Sequence, residues 1–432
     1  MYILPLHPRA PAAEPVSHLT PDASSARIKL LFVCDFCSIH ARLYIGYFAR
    51  RGGEFEIVVL STRKAAEMDG VRLINVATTS GHHGSGPTLA RRVFDAAYPV
   101  LVRFPRLYNW IWSRELRKAA AVLRQQVRDV VLPFTPHIVH AHRLQPEGII
   151  ALDLMERFAD VPLFATIWGQ DLVLFADSEA RLGALTRKVL GATRVLLPDN
   201  SRDARIARGR YGLAASAETI VIPASGGIYE SELAPYAKRS EDLPALAGSP
   251  RLLTARGFEG GYNRLRPVMQ AHALLLRTHP DAVLHIVAPN TPHKRRAVRR
   301  WAREMRIQHR IELVDLRRPD LMAYMQACDI NVFATRTDGL SMSLLESMYF
   351  GQIPVIPAHE CYSPPLEAGV NCEMFPVESD PVEIAHALRR AIDSRVSRSD
   401  RQARNRETLR EYCDPERNLA VVAERYRRLA RT

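Results

Sequence analysis

Lysine is nearly absent from this chain. Six lysines stand against 53 arginines in 432 residues, and with 46 acidic residues the net charge is +13 and the pI near 9.7. Cysteine is sparse too. Six cysteines (34, 37, 328, 361, 372 and 413) in a chain this long make no disulfide framework, so a reducing, cytoplasmic setting is expected. Cys34 and Cys37 form a C-x-x-C with no second pair and no histidines at metal spacing, which fits an ordinary buried thiol better than a redox or zinc site. No run of about 18 apolar residues exists, which excludes a membrane-spanning helix. The opening residues, MYILPLHPRAPAAEPVSHLTPDASSA, lack a basic start followed by an apolar core, so no secretory signal is expected.

The arginine surplus has two readings. A guanidinium grips phosphate in a bidentate fork, which suits a nucleotide, an anionic lipid or a nucleic acid as partner. A compositional bias toward arginine accounts for it equally well. No nucleic-acid-binding module is recognisable, so no nucleic-acid partner is expected.

What is present is a globular balance, 47% hydrophobic and 24% charged, in a length that suits two domains. Residues 1–26 read as a disordered tail. RIKLLFVCDF (27–36), a helical period to Gly52 and EFEIVVLST (54–62) make β-α-β, the start of a parallel sheet. HIVHAH (137–142), VPLFATIW (161–168), TRVLLPD (193–199) and ETIVIPA (218–224) continue it, completing a domain over 27–235. SELAPYAKRSEDLPALAGSP (231–250) shows no apolar period and reads as the connection between domains. Strand–helix alternation resumes over 250–415, and 416–432 is an amphipathic helix expected to cross back to the first domain. The fold class is α/β, with two doubly wound, Rossmann-like domains. Ligands in such sheets sit beyond the carboxyl ends of the strands, in a cleft expected between the domains.

The sharpest segment is TDGLSMSLLESMYFGQIPVI (337–356). Asp338 and Gly339 form a turn after an apolar strand, a helix starts near Ser341, and Glu346 lies on it. Eight helical residues rise about 12 Å, the reach of an extended nucleotide-sugar. One carboxylate can then hold sugar hydroxyls and the other a ribose diol, with the helix N-terminus facing the diphosphate. A capped helix, with Asp338 near the N-cap and Glu346 on a wet face, satisfies the same spacing. Elsewhere, Gly169 ends a strand and permits either close ligand approach or a plain turn. Asp171 can contact a ligand or cap the next helix. His140 and His142 are expected to straddle alternate faces of their strand end. His82 and His83, in a Gly/Ser loop, have no metal-spaced partners. The stretch from Arg91 to Arg128 mixes bases with Phe, Tyr and Trp. It suits either a face docked on an anionic membrane or a helical pair packed on the sheet.

The segment 337–356 resembles the E-x7-E signature of retaining glycosyltransferases of GT-B fold, glycosyltransferase family 4 above all. Asp338 stands at the first Glu, Ser341 at the usual Gly and Glu346 at the second Glu, with Met348, Gly351, Pro354 and Val355 in register. HIVHAH followed by Pro146-Glu147-Gly148 is similar to the family's His-Ala-His strand end. ATIWGQDL (165–172) is similar to its Thr-x-His-Gly-x-Asp-Leu, with Trp168 in place of the His. TARGFEGGYN (254–263) stands where the family has Gly-Arg-x-x-x-x-Lys-Gly: Arg256 matches the phosphate-binding Arg, and the Lys is missing beside Tyr262 and Asn263.

The resemblance implies a retaining transferase with Asp338 and Arg256 as catalytic residues. Glu346, Gly339, Leu340, Ser341 and Arg256 would bind the nucleotide-diphospho-sugar donor, and Trp168, Gly169, Asp171, His140 and His142 would line the acceptor side. No Asp-x-Asp occurs in the chain, so the metal–diphosphate clamp of the other major transferase fold is missing, and no metal or cofactor is expected. The implied acceptor is a glycan or lipid-linked glycan of a bacterial-type envelope, met at the inner face of the plasma membrane in lipopolysaccharide or related polysaccharide synthesis. A catalytically silent sugar-nucleotide binder, and an epimerase or phosphorylase on the same architecture, are the alternatives.

Overall fold

The computed structural model describes residues 27–75, 107, 110, 114, 133–237, 246–256, 262–287, 292–394 and 396–431. The expected tail (1–26), the loop carrying His82 and His83, and the basic–aromatic stretch apart from residues 107, 110 and 114 lie outside the described residues. The chain forms two compact units. One takes 27–75, 133–226 and 416–431, and the other takes Gly227–Pro415.

Parallel strands buried on both faces demand near-continuous apolar runs, and LLFVC and IVVL supply them. In the first unit these become β1 (Ile28–Cys34) and β2 (Phe55–Ser61). They are followed by β3 (Val71–Asn75), β4 (Ile138–His142), β5 (Leu163–Ile167), β6 (Thr193–Pro198) and β7 (Glu218–Thr219). The sheet runs β3-β2-β1-β4-β5-β6-β7, parallel throughout. The chain winds outward from β1 to β3, then restarts at β4 on the other side of β1. The loops after β1 and β4 therefore diverge and leave a crevice at their carboxyl ends.

The helix Ile39–Ala49 buries Tyr44, Tyr47 and Phe48 on this sheet. The helix Pro415–Ala430 packs into the same cluster through Leu419, Val422, Ala423 and Tyr426. Tyr426 is fully buried, with Phe164 at 4.8 Å and Phe48 at 5.2 Å between ring centroids. Salt bridges rim the contact: Arg427 to Glu54 at 2.5 Å and Arg51 to Glu416 at 2.7 Å. Gly226 has φ +86°, and a Cβ there would lie 2.6 Å from Leu419 Cδ1, so glycine is what lets this helix seat.

The second unit repeats the plan. Its strands are β8 (Arg251–Thr254), β9 (Val283–Val287), β10 (Ile311–Val314), β11 (Ile330–Val332), β12 (Ile353–Pro357) and β13 (Glu373–Phe375). They form one parallel sheet in the order β10-β9-β8-β11-β12-β13, with the reversal between β8 and β11. Helices Leu265–Leu275 and Pro381–Asp393 share its core. Pro381 opens the latter at its first position, and Asp380 caps it by accepting from the amides of Val382 and Glu383.

Two segments differ from expectation. The strand expected over 218–224 closes to Glu218–Thr219 at the sheet edge, where it pairs with only Val195 and Leu196 of β6. The connection expected over 231–250 holds a helix, Glu230–Ala237. Glu230 and Glu232 favour its positive end and Leu233 is its buried anchor, but eight residues are too few to show an apolar period. No helix among the described residues is long and apolar enough to cross a membrane.

Tyr426→Ala should cost the first unit about 3–5 kcal/mol, the usual loss for a large aromatic removed from a packed core. Urea unfolding followed by tyrosine and tryptophan fluorescence measures it.

Candidate active site

The polar cluster of the second unit lies at the carboxyl ends of three adjacent strands, β8, β11 and β12. Arg256 follows β8, Asp338 follows β11 and Tyr362 follows β12. Arg256 donates to Asp338 twice, Nη1 to Oδ2 at 2.6 Å and Nη2 to Oδ1 at 3.3 Å. Tyr362 donates its hydroxyl to Oδ2 at 2.7 Å, and the Gly339 amide donates to Oδ1 at 3.0 Å. Burial alone pulls the Arg256 pKa down, but the adjacent Asp338 charge outweighs it and the net shift is upward, so the guanidinium is always charged. Tyr362 is fully buried, and burial first, then the Asp338 charge, lift its pKa well above the usual phenol value, so it stays a donor. Behind it, Thr335 Oγ1 lies 3.4 Å from the Tyr362 hydroxyl and 3.2 Å from His359 Nε2. The Arg256 guanidinium also sits over the Phe333 ring at 4.7 Å. Asn263 donates to the Arg256 carbonyl at 2.9 Å.

The helix after this turn is Met342–Tyr349, with Ser341 as its extended N-cap residue. Asp338 is therefore no cap; it is drawn back onto Arg256. Residues 339–341 are not helical, so from Met342 to Glu346 the helix contributes a rise of only about 6 Å, half of what eight helical residues would give. Leu340 is buried, and the Ser341 hydroxyl shares a hydrogen bond with that of Ser343 at 2.9 Å. Glu346 is 2% exposed rather than on a wet face, and Arg318 pairs with its Oε1. Burial raises the Glu346 pKa, and the Arg318 charge opposes the rise.

The first unit carries a second polar group at the ends of β1, β4 and β5. His142 is fully buried, and burial, helped by His40, pushes its pKa down to about 3, so the ring is neutral. Neither of its nitrogens has a hydrogen-bond partner, nor does Nε1 of Trp168, whose ring lies 6.2 Å from it. Glu147 accepts from Thr62 at 2.9 Å through Oε1, while its Oε2 is unpartnered. Burial pushes its pKa up to about 7. Arg143 has φ 111° and ψ 154°, a region that is essentially glycine's, and such strain collects at functional sites. Its guanidinium lies over Trp168 at 5.4 Å and pairs with Asp171 at 3.6 Å. Asp171, fully buried, ties two loops together by accepting from the Leu144 amide at 3.0 Å, and Gln170 rather than Asp171 stands at the N-cap of the next helix. Gly169, at φ +63°, makes a turn whose carbonyl accepts from Arg202 at 3.2 Å.

His140 leaves the candidate set. It and His142 share one face of β4 instead of straddling two, as residues two apart in a strand must, with ring centroids 4.7 Å apart. His140 is a core residue, bonded on one side to the Tyr426 hydroxyl at 2.5 Å and on the other to Thr166 at 2.8 Å. Cys34 is buried and Cys37 exposed, both as free thiols. Among the described residues no group of three or more His, Cys, Asp or Glu could hold a metal ion.

Four participants escaped the sequence: Tyr362, Arg318, Arg143 and the carboxyl of Glu147. Tyr362 ends a short 3-10 turn after β12 and Arg318 opens the helix Arg318–Ala327 after β10, both following strands of the second sheet. Nothing in the sequence singles out Arg143. Glu147 yields a pH test. Its native pKa lies above the unfolded value, so between about pH 4.5 and 7 the native state holds more protons, and its contribution to stability falls as pH rises through that window. Glu147→Gln should therefore gain stability relative to wild type from pH 4.5 to pH 7.5, by up to about 3 kcal/mol, in urea unfolding at the two pH values.

Residues 250–394 match the family model described as Glycosyl transferases group 1. A comparison with curated protein sequences gives no match. Among solved structures, the sucrose-phosphate synthase of Thermosynechococcus elongatus superposes with a TM-score of 0.67 at 14% identity, covering 93% of this chain and 99% of that one. HepE of Anabaena, solved with UDP, gives 0.65 at 13% identity over 92% and 99% of the two chains. The UDP-forming trehalose-phosphate synthase of Burkholderia xenovorans gives 0.65 at 16% over 94% and 99%. The chain thus has the GT-B fold, two Rossmann-like α/β units, and its second unit is similar to the group 1 glycosyl transferases.

Proposed function

We propose that this protein is a glycosyltransferase that moves a sugar from a nucleotide-diphospho-sugar to a hydroxyl acceptor. The observation that carries the proposal is the pairing of Arg256 with Asp338 at the carboxyl ends of β8 and β11, with Glu346 buried on the helix that follows, within the segment similar to group 1 glycosyl transferases. A guanidinium and the N-terminus of the helix Met342–Tyr349 suit a diphosphate, and a buried carboxylate on that helix suits a ribose diol. The crystal structures of HepE in complex with UDP and with UDP-glucose support the same donor class here. The acceptor is assigned to the first unit, where the unpartnered polar atoms of His142, Glu147 and Trp168 offer hydrogen bonds to a polyhydroxylated molecule.

The finer assignment is a retaining transfer without metal. Arg256 and the helix N-terminus meet the leaving diphosphate's charge, and Asp338 serves the sugar. A glycan or lipid-linked glycan of a bacterial-type envelope is the proposed acceptor. The Arg91–Arg128 stretch supports peripheral contact with an anionic membrane by its composition alone.

A thermal-shift panel of UDP, GDP, ADP, CMP and TDP species identifies the nucleotide, since a ligand at 100 times its Kd adds about 2.7 kcal/mol of stability. Turnover of the matching nucleotide-sugar then separates a transferase from a silent binder, and phosphate-dependent polymer cleavage marks a phosphorylase. Glu346→Ala should weaken binding of that nucleoside diphosphate by about tenfold or more in calorimetry, because charge-assisted bonds to the diol are lost. Unchanged affinity removes the ribose role. Transfer should persist in saturating EDTA; loss of activity restored by magnesium or manganese contradicts the metal-free assignment.

A further inference from the structure

The guanidinium assigned to the donor's diphosphate already holds an anion. Both terminal nitrogens of Arg256 are on the Asp338 carboxylate, at 2.6 and 3.3 Å, and both residues are nearly buried, with side chains 14% and 6% exposed. Carboxylate and phosphate engage a guanidinium through the same two-pronged face, so Asp338 and a diphosphate compete for it. Asp338 is also the member of the pair equipped to let go. Without Arg256 its oxygens keep the Tyr362 hydroxyl at 2.7 Å and the Gly339 amide at 3.0 Å, so the released charge is not left without donors. Tyr362 is itself backed by Thr335 and His359.

We infer that Asp338 is an internal counter-ion that masks Arg256, and that the donor's diphosphate displaces it, turning the freed carboxylate toward the sugar. This rests on the donor assignment above. The exchange swaps one anion for another on Arg256 and breaks no covalent bond. It couples the two ends of the donor: the acid that serves the sugar becomes available only once the diphosphate is in place. Tyr362 is a positioning residue that keeps the carboxylate anchored through the exchange.

The inference has a sign opposite to that of an ordinary binding residue, because removing the Asp338 charge should tighten anion binding. Calorimetry with UDP, GDP, ADP and inorganic pyrophosphate on wild type, Asp338→Asn, Arg256→Gln and the double variant reads it. Asp338→Asn should bind the preferred nucleoside diphosphate about tenfold more tightly than wild type. On the Arg256→Gln background the same change should have no effect, and affinity for the uncharged nucleoside should not move. Asp338→Glu, which keeps the charge, should show no gain. Asp338→Ser replaces the Asn variant if that one does not fold. Equal or weaker diphosphate binding by the uncharged variants, with wild type binding, overturns the inference and leaves the donor assignment standing. Tighter binding of pyrophosphate alone, with no nucleotide bound by any variant, upholds the competition and removes the donor assignment. No anion binding by any of the proteins overturns both.

Discussion

A parallel sheet covered on both faces leaves polar chemistry one place to go, the carboxyl edge where its strands end. Both units obey this constraint, and most of what distinguishes the chain follows from it. Leu30–Cys34 of β1 and Leu252–Leu253 of β8 are buried and apolar, and the one charge each strand carries, Lys29 or Arg251, stands at its amino end. Arg256, Asp338 and Tyr362 meet because they follow three neighbouring strands, although more than a hundred residues separate the first from the last. His142 and Trp168 meet in the first unit by the same logic, since β4 and β5 are adjacent.

The arginine surplus acquires a structural meaning at these edges. Asp338, Glu346 and Asp171 are all buried carboxylates, and each is faced by an arginine: 256, 318 and 143. An arginine cannot relieve the cost of burial by giving up its proton, as a lysine can, so a buried acid beside it keeps a permanent counter-charge. Burial raises the pKa of Glu346 and Asp171 even so, and that of Glu147 too. The direct partner of Glu147 is the neutral hydroxyl of Thr62, and burial raises the carboxyl to about 7 despite the more distant Arg143.

Much of this was legible in the sequence because parallel strands announce themselves as short apolar runs and glycine marks their ends. The α/β alternation, a helix starting near Ser341 and the assignment of residues 256 and 338 to one site could all be reached that way, the last through a family resemblance. The pairings could not. Whether Glu346 faces water or an arginine depends on where Arg318 lies, and nothing local to either residue encodes that. His140 and His142 show a different limit. A strand's two-residue period puts them on one face, yet only the arrival of Tyr426, from nearly 300 residues away, decides that His140 is core. The helix Glu230–Ala237 was hidden by its brevity.

The helix Pro415–Ala430 belongs to the first unit's core, but the whole second unit precedes it in the chain. During synthesis β1 to β7 therefore leave the ribosome long before Leu419, Val422 and Tyr426 exist to cover Phe48, Phe55 and Phe164. At about 5–20 residues per second, the nascent first unit waits many seconds with that aromatic surface open. The protein is thus a discontinuous domain with a complete one spliced into it, and its most aggregation-exposed moment comes while the intervening unit is being translated.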